Sequence, residues 1–336
     1  MPEATVAIPV RNGGQLLAGV LDALARQTVE HELLICDSGS TDGSLQRARA
    51  HGARVLQIAP RDFSHGGTRN LLMREARGAH VALLTQDAEP ADERWLERLL
   101  SGFDAAADVG IVCGPYRPRP DAPAPVQIEL RRWFSSLSPG GTVRVDRLAA
   151  RERAAPAVSL IGANGFFTDA NACIARAAWE QVPFREAAYA EDRVLAIDML
   201  RAGYAKAFVP SAAVLHSHAY RPAQQLRRCF DEWRGLAEVY GWREPARPAH
   251  LAGQLRGALG DARRELAAGR LAPRRRSTVL AAVAAHQSLR LAGAVLGSRA
   301  DRMPPGLRRR LSLEHRGDFQ PLNIDAQTPS PTRQDT

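Results

Sequence analysis

The chain of 336 residues is long enough for one large α/β domain with an appended segment, or for two small domains. Hydrophobic residues make up 45% and charged residues 24%, which excludes a disordered protein and a mostly membrane-embedded one. The net charge is +9, but residues 1–240 hold 28 basic and 28 acidic residues, while residues 241–336 hold 17 and 8. This confinement excludes an evenly basic nucleic-acid-binding surface.

The N-terminal part alternates apolar runs, polar loops and helical patterns. An apolar run over 5–10 is followed by an Arg-Asn-Gly-Gly turn and by leucines at helical spacing, and a run over 32–37 repeats this order. Further strands are predicted over 54–58 and 81–85, with a helix over 69–77 between them. The alternation predicts an α/β fold with a mostly parallel, Rossmann-like sheet flanked by helices. Ligands of such sheets bind at the carboxyl ends of the strands.

The pattern changes in the middle of the chain. Five prolines over 115–125 predict an irregular connection rather than a central helix or strand. Residues 161–215 have an α+β pattern, with strands predicted over 172–175 and 207–215 and a helix between them.

The C-terminal part is rich in arginine and helical in pattern, with breaks at prolines. We therefore divide the chain into an α/β domain over 1–240, a basic helical extension over 241–322 and a disordered tail over 323–336.

Cysteine usage and the N-terminus indicate the compartment. The four cysteines have no C-x-x-C spacing, which favours free thiols in a reducing compartment. The N-terminus has no signal-peptide pattern, and the apolar stretch 279–296 is interrupted by His286 and Arg290. We expect a cytoplasmic protein without a transmembrane helix.

Polar side chains that could bind a nucleotide follow the predicted strands. The Asp37 carboxylate could accept a base N–H while Ser38 and its neighbours meet a ribose or phosphate; alternatively, these residues only form turns and cap the next helix. In the loop 61–70, two glycines precede Thr68 and Arg69, which could bring backbone amides and a guanidinium to a diphosphate. The loop lacks the G-x-G-x-x-G and Walker A spacings, so a dinucleotide or P-loop site is disfavoured.

Other residues suit metal binding and proton transfer. Asp87 follows a strand and could hold a divalent cation on a diphosphate, or simply cap the next helix. His216 and His218 lie near a strand end, where they could complete the metal site, hold a phosphate or be structural. Glu191 and Asp192 open a helix whose dipole stabilises ionised carboxylates, and an ionised carboxylate in a cleft can act as a general base.

Six short motifs follow one another along the chain: VAIPVRN at 6–12, CDSGSTDG at 36–43, HGGTRN at 65–70, TQDA at 85–88, ED at 191–192 and HSH at 216–218. This ordered set resembles the motifs of inverting family 2 glycosyltransferases with the GT-A fold and covers about residues 4–240. The HGGTRN and QDA segments resemble the versions found in bacterial rhamnosyltransferases that use dTDP-L-rhamnose.

The resemblance implies a donor-binding set in which Asp37 contacts a thymine or uracil base and Arg69 lies near the diphosphate. With the neighbouring Ser38 and Gln86 included, the donor-binding set comprises Pro9, Arg11, Asp37, Ser38, Arg69 and Gln86.

The resemblance also implies a metal site and a catalytic base. Asp87 corresponds to the metal ligand of the family's D-x-D element, His218 or His216 to a late metal or diphosphate ligand, and Asp192 to the base. The expected cofactor is Mg²⁺ or Mn²⁺. Thr85 stands where the first Asp of D-x-D is usual, so metal binding is expected to depend mainly on Asp87 and a histidine.

The implied activity is transfer of L-rhamnose, with inversion, from dTDP-L-rhamnose to a hydroxyl of a lipid-linked glycan in bacterial lipopolysaccharide or other cell-surface polysaccharide biosynthesis. Two alternatives stay open: a UDP-hexose or other nucleotide sugar as donor, and a non-catalytic basic adaptor on nucleic acid or anionic lipid. We expect no nucleic-acid partner.

The C-terminal extension has two interpretations. The arginine clusters 274–276 and 308–310 flank an apolar helical arc that either packs on the catalytic domain or lies on anionic lipid. The second interpretation would place the enzyme peripherally on the inner face of the cytoplasmic membrane.

Overall fold

The computed structural model describes residues 3–160, 162, 164–271, 275–322, 324 and 325. Its strands, in chain order, are β1 (Ala4–Val10), β2 (His31–Asp37), β3 (Arg54–Gln57), β4 (His80–Leu84), β5 (Glu89–Pro90), β6 (Val109–Cys113), β7 (Tyr116–Arg117), β8 (Arg144–Asp146), β9 (Asn171–Ala175), β10 (Ala205–Phe208) and β11 (Val214–Leu215). Its α-helices are α1 (Gly14–Leu24), α2 (Ser44–Ala50), α3 (His65–Glu75), α4 (Trp95–Ser101), α5 (Ala124–Leu137), α6 (Arg176–Gln181), α7 (Glu191–Ala202), α8 (Pro222–Tyr240), α9 (Pro248–Ala267), α10 (Arg276–Gly297) and α11 (Pro305–Leu311).

The described residues form two compact units. The catalytic unit comprises the described parts of 1–117 and 134–216 together with Asp325, and the helical unit comprises those of 118–133 and 217–324. The boundary after residue 216 differs from the expected one after residue 240, because α8 packs against α10 within the helical unit.

Two residues of the expected disordered tail are packed rather than free. Ile324 is 2% exposed, and the Asp325 carboxylate accepts from the backbone N–H of Ala157 and forms an ion pair with Arg201. The remaining tail positions, 323 and 326–336, lie outside the described residues.

The large sheet of the catalytic unit has the order β3-β2-β1-β4-β9-β6-β10-β8. Strand β1 runs parallel to β2 and β4, β2 to β3, and β6 to β10, whereas β9 and β8 are antiparallel to their neighbours. The expected mostly parallel sheet is therefore confirmed. In this register Val10 lies opposite Asp37, and Leu84 lies opposite Asn171.

The antiparallel direction of β9 matters for the site. Because β9 runs against β4, the residues that precede Asn171 emerge at the same edge as the carboxyl ends of β1, β2 and β4. Asn171 itself is fully buried, where its amide donates to the carbonyl of Ala212 and accepts from the indole of Trp95. These bonds fix the start of β9 in the core.

The strand expected over 207–215 is two strands in different sheets. Strand β10 ends at Phe208 in the large sheet, and β11 begins at Val214 in a small sheet of order β5-β11-β7. Pro210 lies between them, and a proline cannot donate to a strand ladder, which explains why the pairing is interrupted.

The helical unit has its own small core. Buried side chains of α5, α9 and α10 pack together, namely Ile128, Ala258, Ala262, Val279 and Val283. Pro248 and Pro305 each lie in the first turn of a helix, where the missing N–H is tolerated, so the expected breaks at these prolines are confirmed. Arg290 of α10 forms an ion pair with Glu129, and His286 Nε2 forms a hydrogen bond of 2.8 Å with the same carboxylate.

Helix α10 is the one described helix that is long and apolar enough to cross a bilayer. Its 18-residue apolar stretch has a mean hydropathy of 1.5 and is 22% buried. By length and composition alone, α10 corrects the expectation that no segment is apolar enough for a transmembrane helix. Its contacts are those of a packed helix, since Val279 and Val283 of the predicted apolar arc lie in the core of the helical unit.

Two glycines bring α10 close to α8. A Cβ built on Gly297 would lie 2.3 Å from the carbonyl oxygen of Phe230, and one on Gly293 would lie 2.7 Å from that of Leu226. Only a residue without a side chain permits this approach.

We expect Gly297→Ala to lower the free energy of unfolding by about 1–3 kcal/mol, because the added methyl group collides with the backbone of α8. Gly253→Ala in α9 is the matched control. Nothing lies within 4 Å of its Cβ position, so it should gain up to about 1 kcal/mol from helix propensity. Urea unfolding of both variants measures the difference, and equal stabilities would contradict the close α8–α10 packing.

Candidate active site

The loops that follow β1 and β2 are joined by hydrogen bonds. The backbone N–H of Asn12 donates to Ser40 Oγ at 2.8 Å, and the N–H of Gly14 donates to Asp42 Oδ2 at 2.9 Å. In return, Asn12 Oδ1 accepts from the N–H of Thr41 at 2.8 Å. The polar residues of the CDSGSTDG motif therefore do form turns, as one interpretation of the sequence held.

Asp37 lies at the end of β2 and is 1% exposed. One of its carboxylate oxygens accepts from the backbone N–H groups of Gly39 and Ser40, both at 3.0 Å. Gly39 has a φ of +93°, a conformation that favours glycine and lets the turn close on the carboxylate. Ser38 is also buried, and its hydroxyl donates to the carbonyl of Val10 at 3.3 Å.

Gln86 connects the loops that follow β4 and β1. Its amide oxygen accepts from the N–H of Arg11 at 2.9 Å, and its amide nitrogen donates to the carbonyl of Arg11 at 3.2 Å. Both bonds go to backbone, so the observed role of Gln86 is to fix the loop after β1. The Arg11 side chain is exposed and has no ion-pair partner among the described residues, and Pro9 is half-buried.

Asp87 and His216 come together at this edge. The Asp87 Oδ1 and His216 Nδ1 atoms are 3.6 Å apart, and both side chains are mostly buried. The His216 ring packs edge-on against Tyr116, with ring centroids 4.8 Å apart. Two ligands at right angles around one small divalent ion lie about 3 Å apart, so this pair fits an ion with little movement.

Thr85 occupies the position where the resemblance leads one to expect an aspartate. Its carbonyl accepts from the N–H of Ala88 at 3.1 Å, which forms a turn that carries Asp87. The Thr85 hydroxyl oxygen is buried and has no hydrogen-bond partner among the described residues. His218 follows the boundary between the two units, where it is exposed and stacks on Tyr220.

The HGGTRN motif forms the first turns of α3 and contacts the segment before α7. Ser64 caps the helix by accepting from the N–H of Gly67 at 3.1 Å. A Cβ on Gly66 would lie 2.4 Å from the carbonyl oxygen of Arg185. Asn70 Oδ1 accepts from the N–H of Phe184 at 3.0 Å, so the motif fixes α3 against this segment.

Arg69 does not face an open diphosphate site, in contrast to the expectation from the sequence. Its side chain is 4% exposed and forms ion pairs with Asp169 and, at 3.1 Å, with Glu191. Burial disfavours the charged guanidinium, but the two carboxylates outweigh burial and raise the pKa of Arg69. The structure therefore assigns Arg69 to a buried carboxylate cluster.

Asp169 is the functional candidate that sequence reasoning missed. It is 6% exposed and lies two residues before β9, at the amino end of an antiparallel strand. Because it precedes its strand, Asp169 does not stand at the carboxyl end of a parallel strand, where ligand-binding residues are expected. The available clue was an acidic residue next to an apolar run in the segment Thr168-Asp169-Ala170-Asn171.

Asp192 is partly buried at the start of α7. It follows Ala190, whose φ of +58° is unusual for a residue with a side chain and marks a tight entry to the helix. Its Oδ1 atom accepts from the N–H of Arg193 at 2.7 Å. Burial and the nearby Asp169 carboxylate raise the pKa of Asp192 to about 7, which is suitable for taking up a proton at neutral pH.

Comparison with known proteins identifies the family of the chain. The family model described as Glycosyl transferase family 2 matches residues 5–147. The chain is 33% identical over 234 residues to O-antigen chain rhamnosyltransferase RfbN of Salmonella typhimurium, covering 68% of this chain and 70% of RfbN. It is also 33% identical over 236 residues to O-antigen chain rhamnosyltransferase WbaN of Salmonella anatum, covering 69% and 71%.

Solved structures share the fold. The mannosyltransferase PcManGT from Pyrobaculum calidifontis, in complex with GDP-Man and Mn²⁺, has a TM-score of 0.55 at 20% identity, covering 90% of this chain and 86% of that one. Residues 1–349 of S. aureus TarS, in complex with UDP, have a TM-score of 0.50 at 13% identity, covering 89% and 91%. These similarities concern the fold, which is the expected GT-A fold.

Proposed function

Because the chain belongs to glycosyl transferase family 2, we propose that it transfers L-rhamnose from dTDP-L-rhamnose to a hydroxyl of a growing cell-surface glycan. The observation that carries the choice of sugar is the similarity of about two thirds of the chain to RfbN and WbaN. Membership of an enzyme family removes the non-catalytic adaptor as an alternative. A lipid-linked glycan is the proposed acceptor.

The proposed chemistry is one displacement with Asp192 as the base. The acceptor O–H bond breaks and its proton goes to the Asp192 carboxylate, while the oxygen forms a bond to C1 of the sugar from the face opposite the leaving group. The C1–O bond to the diphosphate breaks, and its electron pair leaves with the nucleoside diphosphate. The partly buried carboxylate at the start of α7, with its pKa near 7, supports this role.

The proposed donor site lies along the carboxyl ends of β1, β2 and β4. Asp37 remains the candidate for binding the thymine or uracil ring of the donor. A carboxylate that accepts two backbone amides still has lone pairs for an N–H of that ring. The exposed guanidinium of Arg11 is suited to meet the diphosphate. Pro9 and Ser38 would shape the wall of the site, and Gln86 would hold Arg11 in place.

The proposed cofactor is a divalent cation, Mg²⁺ or Mn²⁺, held by Asp87 and His216, with His218 two residues further along the chain as a further ligand. One carboxylate and imidazole nitrogens suit Mn²⁺ better than Mg²⁺, which prefers oxygen ligands. The buried Thr85 hydroxyl, two residues before Asp87, has no hydrogen-bond partner among the described residues. Such an ion would offset the charge that develops on the leaving diphosphate.

We further propose that the enzyme works in the cytoplasm, at the surface of anionic membranes. The supporting observation is that Arg275, Arg276, Arg309 and Arg310 of the helical unit are exposed, and each cation near an anionic surface contributes about 1 kcal/mol. Because the apolar side of α10 is used within the unit, the contact would be electrostatic rather than inserted.

We expect dTDP-L-rhamnose to be the productive donor when the enzyme is mixed with lipid-linked glycan from its source, with product identified by mass spectrometry. UDP-hexoses and GDP-mannose are the competing donors, and transfer from one of these alone would contradict the proposal.

Asp192→Asn removes the catalytic base and should lower kcat by about 10²- to 10⁴-fold while donor binding persists. A near wild-type rate for this variant would contradict the assignment of the base.

We expect an excess of EDTA to abolish transfer and added Mn²⁺ or Mg²⁺ to restore it, because Asp87 and His216 hold the ion. Asp87→Asn and His216→Ala should each raise the metal concentration that gives half-maximal activity. Asp22→Asn, an exposed carboxylate in α1, is the matched control and should leave that concentration unchanged. Full activity in excess EDTA would leave Asp87 with only a structural role.

We expect the protein to sediment with anionic phospholipid vesicles at low salt and to be released at high salt, as electrostatic binding requires. Replacing Arg309 and Arg310 with glutamine should weaken sedimentation. The control replaces Arg26 and Arg49, which are also exposed but lie in the catalytic unit. An equal loss in both double variants, or no binding at low salt, would refute the membrane proposal.

A further inference from the structure

The catalytic unit contains a buried cluster of charged side chains that the proposed displacement does not itself use. Asp169 precedes β9, Arg69 lies in α3 and Glu191 opens α7, and their side chains are 8%, 4% and 7% exposed. Arg69 forms ion pairs with both carboxylates. Three segments that are distant in sequence thus meet at one guanidinium, immediately beside Asp192.

The cluster brings three acidic side chains together in a small, mostly buried region. Asp169, Glu191 and Asp192 lie with the buried Arg69 and the half-buried Arg193, and His65 lies 3.7 Å from Glu191. Burial, despite the opposing effect of Arg69, raises the pKa of Glu191 well above its usual value. The Asp169 carboxylate forms the other ion pair of Arg69.

We propose that Asp169 is a positioning residue for the proton transfer: through Arg69 it fixes Glu191, and with it the adjacent Asp192, at the start of α7, and its negative charge opposes the ionisation of Asp192. The inference rests on the proposed function, in which Asp192 is the base. It assigns to Asp169 and Arg69 a part in the reaction without contact with either substrate.

Other titratable groups facing Asp192 contribute less charge. Tyr116 of β7 and Cys113 of β6 are kept neutral because burial raises the pKa of each, that of Cys113 to about 12. His65 of α3 lies 3.7 Å from Glu191 rather than against Asp192. Among the charged groups near Asp192, Asp169 favours its protonated form, whereas Arg193 and Arg69 favour its ionised form.

Because Asp169 and Arg193 carry opposite charges, one variant of each residue gives a matched pair. Asp169→Asn keeps the size of the side chain but removes a negative charge, so Asp192 should ionise at lower pH. Arg193→Gln removes a positive charge while the backbone N–H that donates to Asp192 is retained, so Asp192 should ionise at higher pH.

The experiment is the pH dependence of kcat with saturating donor and acceptor, measured for the metal-loaded full-length enzyme. The wild type should lose activity below an apparent pKa of about 7. Asp169→Asn should move this acid limb down, and Arg193→Gln should move it up, each by about one pH unit. Circular dichroism and the donor KM verify that the variants remain folded and bind donor.

A merely structural role for Asp169 would lower kcat equally at every pH and leave the acid limb in place, and that result overturns the proposal. If Asp169→Asn does not fold, Asp169→Ser removes the same charge with less bulk. If neither folds, an acid limb that does not move in Arg193→Gln overturns it. Failure of the base assignment is recognised separately, because Asp192→Asn would then retain activity.

Discussion

The arrangement of the catalytic unit depends on the neutralisation of one buried cation. A guanidinium removed from water is strongly destabilising unless carboxylates are held against it, and removing a partner leaves an uncompensated charge. Arg69 meets this requirement with Asp169 and Glu191, which lie in different elements. The start of α3, the approach to β9 and the start of α7 are therefore held together by the same ion pairs that surround Asp192.

The sheet provides the second constraint. Parallel strands deliver their following loops to one edge, and in this unit the loops after β1, β2 and β4 are joined there by hydrogen bonds. Gln86 and Ser40 are used within the loops, whereas Arg11 and the pair of Asp87 and His216 remain at positions where a ligand could be met. The strand β9, inserted antiparallel, brings Asp169 to the same edge.

The net positive charge of the chain lies outside the region that holds the glycosyltransferase motifs. The excess of basic over acidic residues lies entirely in residues 241–336, which contribute the larger part of the helical unit. There Val279 and Val283 of α10 pack internally, Glu129 binds both His286 and Arg290, and other arginines are exposed. The electrically balanced region therefore carries the motifs for chemistry, and the excess positive charge lies outside it.

The sequence alone predicted the α/β fold, because hydrophobic periodicity and turn chemistry are local properties. Its ordered motifs carried the resemblance to the glycosyltransferase family, and the roles of the site residues stay predictions. It could not determine that Arg69 is buried against two carboxylates, that Gln86 binds backbone, or that α8 belongs with the C-terminal helices. Nor could it find Asp169, since only the reversed direction of β9 brings that carboxylate to the site. Strand direction, burial and ion pairing between distant segments are decided by tertiary packing, which no local pattern encodes.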